Sequence, residues 1–207
     1  MMDLYKKLFL KFGNQNWWPA DTPFEVAVGA ILTQQTKWES VERAIANLKQ
    51  AELLHPHALA AADQRTIEEQ IRCTGFYHQK SERLLIIAKY FAENNNDISK
   101  KPLKELQREL LELKGVGRET ADSILLYAAD KPCFVIDAYT RQICKCIGIE
   151  GSYQQLQQHF EQHIPTDVEL YKNYHALIVV YAKQYCNKKR CDECIITSTG
   201  GVEGTDC

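Results

Sequence analysis

Two apolar stripes joined by a glycine-bearing turn set what this chain can become. Leu103, Leu106, Leu110 and Leu113 recur at helical spacing, and Ala121, Ile124, Leu125 and Ala128 do so again shortly afterwards. Each set lines one face of a helix, and each face needs a partner to bury it. Between them runs Lys114-Gly115-Val116-Gly117-Arg118-Glu119-Thr120, room for only a tight reversal, which two glycines permit. The second helix then opens with backbone N–H groups that its own turns do not use, at the positive end of its dipole. Such a start holds a phosphate without a basic side chain. A plain helical turn would read the same way, because Gly-x-Gly is a common pair.

The rest of the chain is patterned likewise. Trp38, Val41, Ile45 and Leu48 form a third stripe. Short breakers separate the helical stretches: Thr22-Pro23, His55-Pro56, Thr74-Gly75, Lys101-Pro102 and Pro165-Thr166. Only Cys133-Phe134-Val135-Ile136 hints at a strand, too short to build a sheet. An all-α chain of about ten helices is expected. Ser198 to Asp206 reads as a flexible tail before Cys207.

Composition narrows the function classes. With 207 residues, 45% of them hydrophobic, the chain can bury a sizeable core. Its formal net charge of −2 excludes binding nucleic acid by bulk basicity, so a DNA-binding role has to rest on a local device. No apolar run is long enough to span a membrane. The start, Met1-Met2-Asp3-Leu4-Tyr5-Lys6-Lys7, does not lead into the apolar core of a signal peptide. A cytoplasmic location, in a bacterial or archaeal cytosol near the nucleoid, is the expectation. In that compartment eight cysteines are read as buried thiols or metal ligands, not disulfides.

Asp137 closes the apolar run Phe134-Val135-Ile136, 20 residues after Gly117 and just ahead of Ala138-Tyr139-Thr140-Arg141. It can be an ordinary helix N-cap. It can also be a carboxylate set beside DNA. At this point the chain resembles the helix–hairpin–helix DNA glycosylases of the endonuclease III superfamily, in which a Leu-x-Gly-Val-Gly-Arg hairpin precedes a catalytic Asp at this distance. The resemblance implies DNA contacts at Gly115, Val116, Gly117 and Arg118 and a catalytic role for Asp137. Leu32-Thr33-Gln34-Gln35-Thr36 is similar to the family loop whose Gln fills the gap left by a flipped base, and Gln35 aligns best with that wedge. Gly75-Phe76-Tyr77-His78-Gln79-Lys80 is similar to the family's Gly-x-Tyr-x-x-Lys turn, with Lys80 as a further DNA contact. One position departs. Members that also cleave the strand carry a Lys directly after Gly-Val-Gly-Arg, and here that residue is Glu119. A carboxylate forms no Schiff base, so monofunctional base excision is expected. Lys114 and Lys80 are near in sequence, but nothing in the sequence places either at the sugar.

The tryptophans occur as Trp17-Trp18-Pro19 and Trp38. Large aromatics are mostly core, and Trp38 begins an apolar stripe. The other reading is a base pocket: an extruded base is held against aromatic faces, and an alkylated, cationic purine favours Trp. The Trp-Trp-Pro run also resembles the 3-methyladenine DNA glycosylase III branch, which implies Trp17, Trp18, Trp38 and Gln35 at the base and an alkylated substrate.

Cys186, Cys191, Cys194 and Cys207 are spaced C-x4-C-x2-C-x12-C in polar sequence, where burial does not explain four thiols. They can hold an iron–sulfur cluster or zinc. The resemblance favours [4Fe–4S], though the family spacing is C-x6-C-x2-C-x5-C; zinc, or no metal, stays open, and Cys207 is the doubtful ligand. Cys73, Cys133, Cys144 and Cys146 read as small buried hydrophobes. The basic run Lys188-Lys189-Arg190 reads as a phosphate contact or a solvated loop.

The resemblance implies a two-part helical fold with damaged duplex DNA in the groove between the parts: a bundle over 22–132 containing the hairpin at 113–118, and a second part made of 1–21 and 133–207. A monomer is expected. Two rivals remain at this point, a bifunctional glycosylase/AP lyase acting on oxidised pyrimidines and a non-catalytic DNA-binding module.

Overall fold

The computed structural model describes residues 1–94 and 97–196. Among them stand eleven α-helices: α1 (Met2–Phe12), α2 (Pro23–Leu32), α3 (Trp38–Gln50), α4 (Pro56–Ala61), α5 (Gln64–Ile71), α6 (Tyr77–Glu93), α7 (Leu103–Glu112), α8 (Arg118–Tyr127), α9 (Ala138–Cys146), α10 (Tyr153–His163) and α11 (Val168–Tyr181). No strand occurs among the described residues, so the chain is all-α. The tail expected over 198–206 lies outside them.

The chain divides into two compact units. One takes Trp18–Lys131; the other joins Met1–Trp17 to the chain from Pro132 onward. The first division therefore falls between Trp17 and Trp18, ahead of the boundary at residue 22 that the resemblance implies.

In the Trp18–Lys131 unit α2 is the central helix. Every residue from Phe24 to Leu32 is buried, as a helix apolar on all sides but for Glu25 requires. Thr22 accepts a hydrogen bond from the Glu25 N–H and Pro23 occupies the first turn, so the breaker acts as a start signal. Glu25, though only 5% exposed, is paired with Lys49 at 2.9 Å. Helices α3, α6 and α8 pack around α2, and α7 lies on α8. The predicted stripes face inward: Leu106 and Leu110 on α7 are buried, as is all of α8 from Thr120 to Tyr127. Asp122, fully buried within α8, accepts a 2.9 Å hydrogen bond from the Gln107 amide of α7. That bond fixes the two hairpin helices to each other.

The other unit has an aromatic core. Phe134 stacks on Phe160 at 4.2 Å, and Tyr171 and Tyr174 meet Phe134 edge-on at 5.5 and 5.7 Å. The segment Cys133–Ile136 is buried but pairs with no strand. Side chains serve its backbone instead: the Phe134 N–H donates to Glu161, the Gln157 amide donates to the Phe134 carbonyl at 2.7 Å, and the Ile136 N–H donates to the Tyr153 hydroxyl. Its apolar β-branched content was a burial signal, not a pairing signal.

Candidate active site

In the Trp18–Lys131 unit the turn between α7 and α8 forms as the glycines predict, but the two glycines do different things. Gly115 adopts φ +88, a conformation L side chains rarely take, and a Cβ there would stand 2.4 Å from the Arg83 side chain. Gly117 has φ −85, which any residue adopts, and a Cβ on it would meet open space. It caps α8 and leaves the approach to that helix start clear. Val116 is 6% exposed and anchors the turn, while Lys114, Gly117 and Glu119 are exposed and Arg118 is half-buried.

The loop after α2 is held to this turn. The Gln34 side-chain amide donates to the Gly115 carbonyl at 3.1 Å and to the Thr120 hydroxyl at 3.0 Å, and the Arg83 guanidinium donates to the Gln34 amide oxygen. Gln34 is therefore the fastener and Gln35 the presented residue: Gln35 is exposed with φ +53. A non-glycine residue held in the left-handed region at a loop tip costs energy, and such strain clusters at functional sites.

Lys80 corrects an expectation. It is 1% exposed, and its ammonium donates to the Leu32 carbonyl at 2.9 Å, the Thr74 carbonyl at 3.1 Å and the Thr36 hydroxyl. Burial, with the nearby charge of Arg83, lowers its pKa to about 8. Such a lysine does not reach a phosphate; it braces the Leu32–Thr36 loop from below. The same turn exposes Phe76, 61% accessible at φ +48, an aromatic that the sequence reading passed over. The Thr36 hydroxyl, donating to the Thr74 carbonyl at 2.6 Å, ties the Phe76 turn to the Gln35 loop.

Asp137 belongs to the other unit, as the N-cap of α9. Its Oδ1 accepts from the Thr140 N–H at 2.7 Å, and its Oδ2 lies 3.5 Å from His175 Nε2 of α11. The side chain is 15% exposed. Burial works to raise its pKa, but the nearby His175, with the Thr140 backbone and side chain, outweighs burial and holds it below the usual carboxylate range. Both readings of Asp137 are thus compatible in one side chain: one oxygen caps the helix while the carboxyl group stays ionised. His175, in mid-helix and 5% exposed, was not singled out from the sequence.

The tryptophans separate. Trp18 and Trp38 line one cavity with Pro19, Glu25, Gly29, Glu42 and Ile45, whereas Trp17 lines another with Tyr5, Phe9, Asp167 and Asn173. The three do not form one pocket, which corrects that expectation for Trp17. Trp18 and Trp38 meet edge-on, 5.6 Å apart at 80°, so they do not sandwich a base between parallel faces. Trp18 lies close against α2 because residue 29 is glycine, where a Cβ would stand 3.1 Å from the indole.

The cysteines also redistribute. Cys133 and Cys144 are buried as expected, and burial pushes the Cys144 thiol up to about 11. Cys73 is exposed, so it is not a core residue. Cys146 is half-buried and lines a small crevice together with Cys186 and Cys194. That corrects its reading as a buried hydrophobe. The Tyr181 hydroxyl donates to Cys194 Sγ at 3.2 Å. The backbone of Cys191 lies in the 3₁₀ turn Cys191–Glu193 between them, and Cys207 lies outside the described residues. Among the described residues no three His, Cys, Asp or Glu side chains converge as ligands of a single ion. Thiols spread around a cavity suit a multi-iron cluster, in which each binds its own metal atom, better than one tetrahedral ion.

Comparison with known proteins gives a consistent picture. Residues 28–166 match the family model for HhH-GPD superfamily base excision DNA repair proteins. A putative DNA repair glycosylase of Methanocaldococcus jannaschii is 47% identical over 202 residues, 93% of this chain and 92% of that protein. Endonuclease III of Thermotoga maritima is 27% identical, over 84% of this chain and 80% of that one. Among solved structures, the H. pylori 3-methyladenine DNA glycosylase bound to 1,N6-ethenoadenine superposes with a TM-score of 0.78 at 31% identity, covering 88% of this chain and 96% of that one. A non-covalent endonuclease III–DNA complex superposes at 0.80, covering 94% and 91%, and at 20% identity it speaks for the fold alone.

Proposed function

The chain belongs to the HhH-GPD superfamily of base excision DNA repair proteins and is a DNA glycosylase, and from that premise we propose that it is monofunctional and excises alkylated bases by hydrolysis with Asp137 as the catalytic carboxylate. The observation that carries the proposal is the state of Asp137. Breaking the bond between base and sugar leaves positive charge on the sugar. An anion held ready where that charge develops lowers the barrier, and the contacts of His175 and Thr140 keep this carboxyl ionised. In this reading it also orients the attacking water.

The DNA-binding part of the proposal rests on the hairpin. The open approach in front of Gly117 and the first-turn N–H groups of α8 offer a phosphate site that reads no sequence. Gln35 and Phe76, both exposed and presented by braced turns, are the residues to fill the stack after a base leaves it. A base cut free by water leaves an intact strand. Glu119 stands at the position where a Schiff-base lysine would act, and its carboxylate cannot attack the sugar as an amine does.

The substrate class rests on Trp18, Trp38 and the carboxylate of Glu42 around their cavity, the Glu25 carboxylate there being paired with Lys49. Electron-rich ring faces and nearby negative charge favour a base made cationic by alkylation over a neutral one. Support also comes from the likeness to the H. pylori 3-methyladenine DNA glycosylase. For the cysteines, the proposal is a [4Fe–4S] cluster with Cys186, Cys191 and Cys194 among its ligands. When bound, it would supply metal–thiolate cross-links that fix the chain after α11.

Borohydride treatment of the protein with damaged duplex tests the monofunctional reading. The expected result is base release with no covalent adduct, and strand breaks only after alkali. A trapped adduct would assign the chain a lyase activity and overturn it.

A further inference from the structure

We infer that Cys146, at the end of α9, is a ligand of the proposed iron–sulfur cluster and completes the set begun by Cys186, Cys191 and Cys194. The inference rests on the cluster reading above and concerns where its fourth thiolate comes from. In sequence Cys146 stands 40 residues before Cys186 and shares no motif with it. In the fold, Cys146, Cys186 and Cys194 line the same small cavity.

Three features make the placement specific. Helix α9 packs against both α11 and the π-helical turn Ala182–Cys186 that follows it, so the end of α9 is held beside the segment that carries Cys186. Wide π turns of this kind are concentrated at functional sites, where they re-aim a side chain. The rest of the cavity wall consists of Tyr181, Tyr185, Arg190 and Ile196. That wall gives the thiols aromatic and apolar cover, with the Arg190 guanidinium paired to Glu193. The Tyr181 hydroxyl already donates to Cys194 Sγ, and it accepts from the Ile195 N–H at 3.1 Å. A hydrogen bond to a ligating sulfur is one of the means by which a protein tunes such a cluster.

The alternative ligand, Cys207, follows Cys194 only after 12 intervening residues that include Gly200, Gly201 and Gly204. A thiol on the last turn of a packed helix is already in position. The long gap after Cys194 is then no defect, because the chain draws its remaining thiolate from α9.

Full-length protein, purified without oxygen and reconstituted with iron and sulfide, provides the test. Iron and sulfide per chain and the visible charge-transfer absorption are measured for wild type, Cys146→Ser and Cys207→Ser, with far-ultraviolet circular dichroism as a folding check. The inference expects a loaded wild type, a Cys207→Ser protein with the same iron, sulfide and spectrum, and a Cys146→Ser protein that loses at least half of each. Full loading of Cys146→Ser, or loss confined to Cys207→Ser, would overturn the role of Cys146 while leaving the cluster standing. A wild type that takes up no iron and sulfide would overturn both. If Cys146→Ser does not fold, alkylation of native wild type decides. Cys146 should be protected while the cluster is present and react once it is stripped, with exposed Cys73 reacting throughout; equal reactivity of Cys146 in both states would overturn the inference.

Discussion

His175 Nε2 lies 3.5 Å from Asp137 Oδ2, joining a residue in the middle of α11 to the cap of α9. The contact opposes the effect of burial on the carboxylate. Burial alone would raise the Asp137 pKa, and the lowering contributed by His175 and Thr140 reverses the outcome. A carboxyl depressed in this way contributes stability above its unfolded pKa, and that contribution is lost as the pH falls through the folded value.

His175→Gln should therefore act on the pH profile of excision. With His175 in place, the Asp137 pKa is held below the ordinary carboxylate range. Without it, burial dominates and the acid limb of the single-turnover rate moves to higher pH. A variant whose rate is reduced equally at every pH would show that His175 only supports the fold.

The two hairpin glycines should respond differently to alanine. Gly115→Ala forces a left-handed residue, at about 1–2 kcal/mol, and pushes the Arg83 side chain off the Gln34 contact. Thermal unfolding should detect that loss. Gly117→Ala has an ordinary backbone conformation and open space, so the free protein should be nearly as stable as wild type. Its methyl group would stand where a phosphate approaches the start of α8, and duplex affinity should fall. Unchanged affinity in Gly117→Ala would remove the hairpin from the DNA contact.

Lys80 gives a stability prediction with a definite sign. Its pKa is lowered to about 8 by burial first and by Arg83 second. Between that value and the ordinary lysine range the unfolded chain binds more protons than the folded one, so stability rises with pH across this window. Lys80→Met removes the titration but leaves the Leu32 and Thr74 carbonyls and the Thr36 hydroxyl without that donor, a loss of roughly 1–3 kcal/mol. Denaturant unfolding from pH 7 to 10 should show wild type gaining on the variant as the pH rises. Parallel curves would contradict the account of Lys80 as a buried cation.

What was legible in the sequence follows a physical division. The helices of the hairpin, their glycines and the cap at Asp137 are set by local spacing, and periodicity and turn chemistry report local spacing directly. The partners were not legible. Nothing near Lys80 in sequence says that its ammonium meets the carbonyls of Leu32 and Thr74, and a lysine in the first turns of a helix reads as solvated. His175 and Cys146 were missed for the same reason: each acquires its meaning from a helix distant in sequence. Trp17 and Trp18 show the reverse error, since adjacent residues were read together and the fold sends them to different cavities. For Cys133–Ile136 the apolar run signalled burial correctly, and only side chains of α10 and the Tyr153 hydroxyl show why it needs no strand partner.

The most direct test of the account is base release from methylated duplex DNA by wild type and by Asp137→Asn under single-turnover conditions, with duplex affinity measured in parallel. Asparagine keeps the cap on α9, because its carbonyl oxygen can accept from the Thr140 N–H, so the substitution removes the charge and leaves the fold. The account predicts that wild type releases alkylated purine, and that Asp137→Asn binds DNA equally well but excises about 100-fold more slowly or worse. Excision by Asp137→Asn at the wild-type rate would contradict the catalytic role of Asp137.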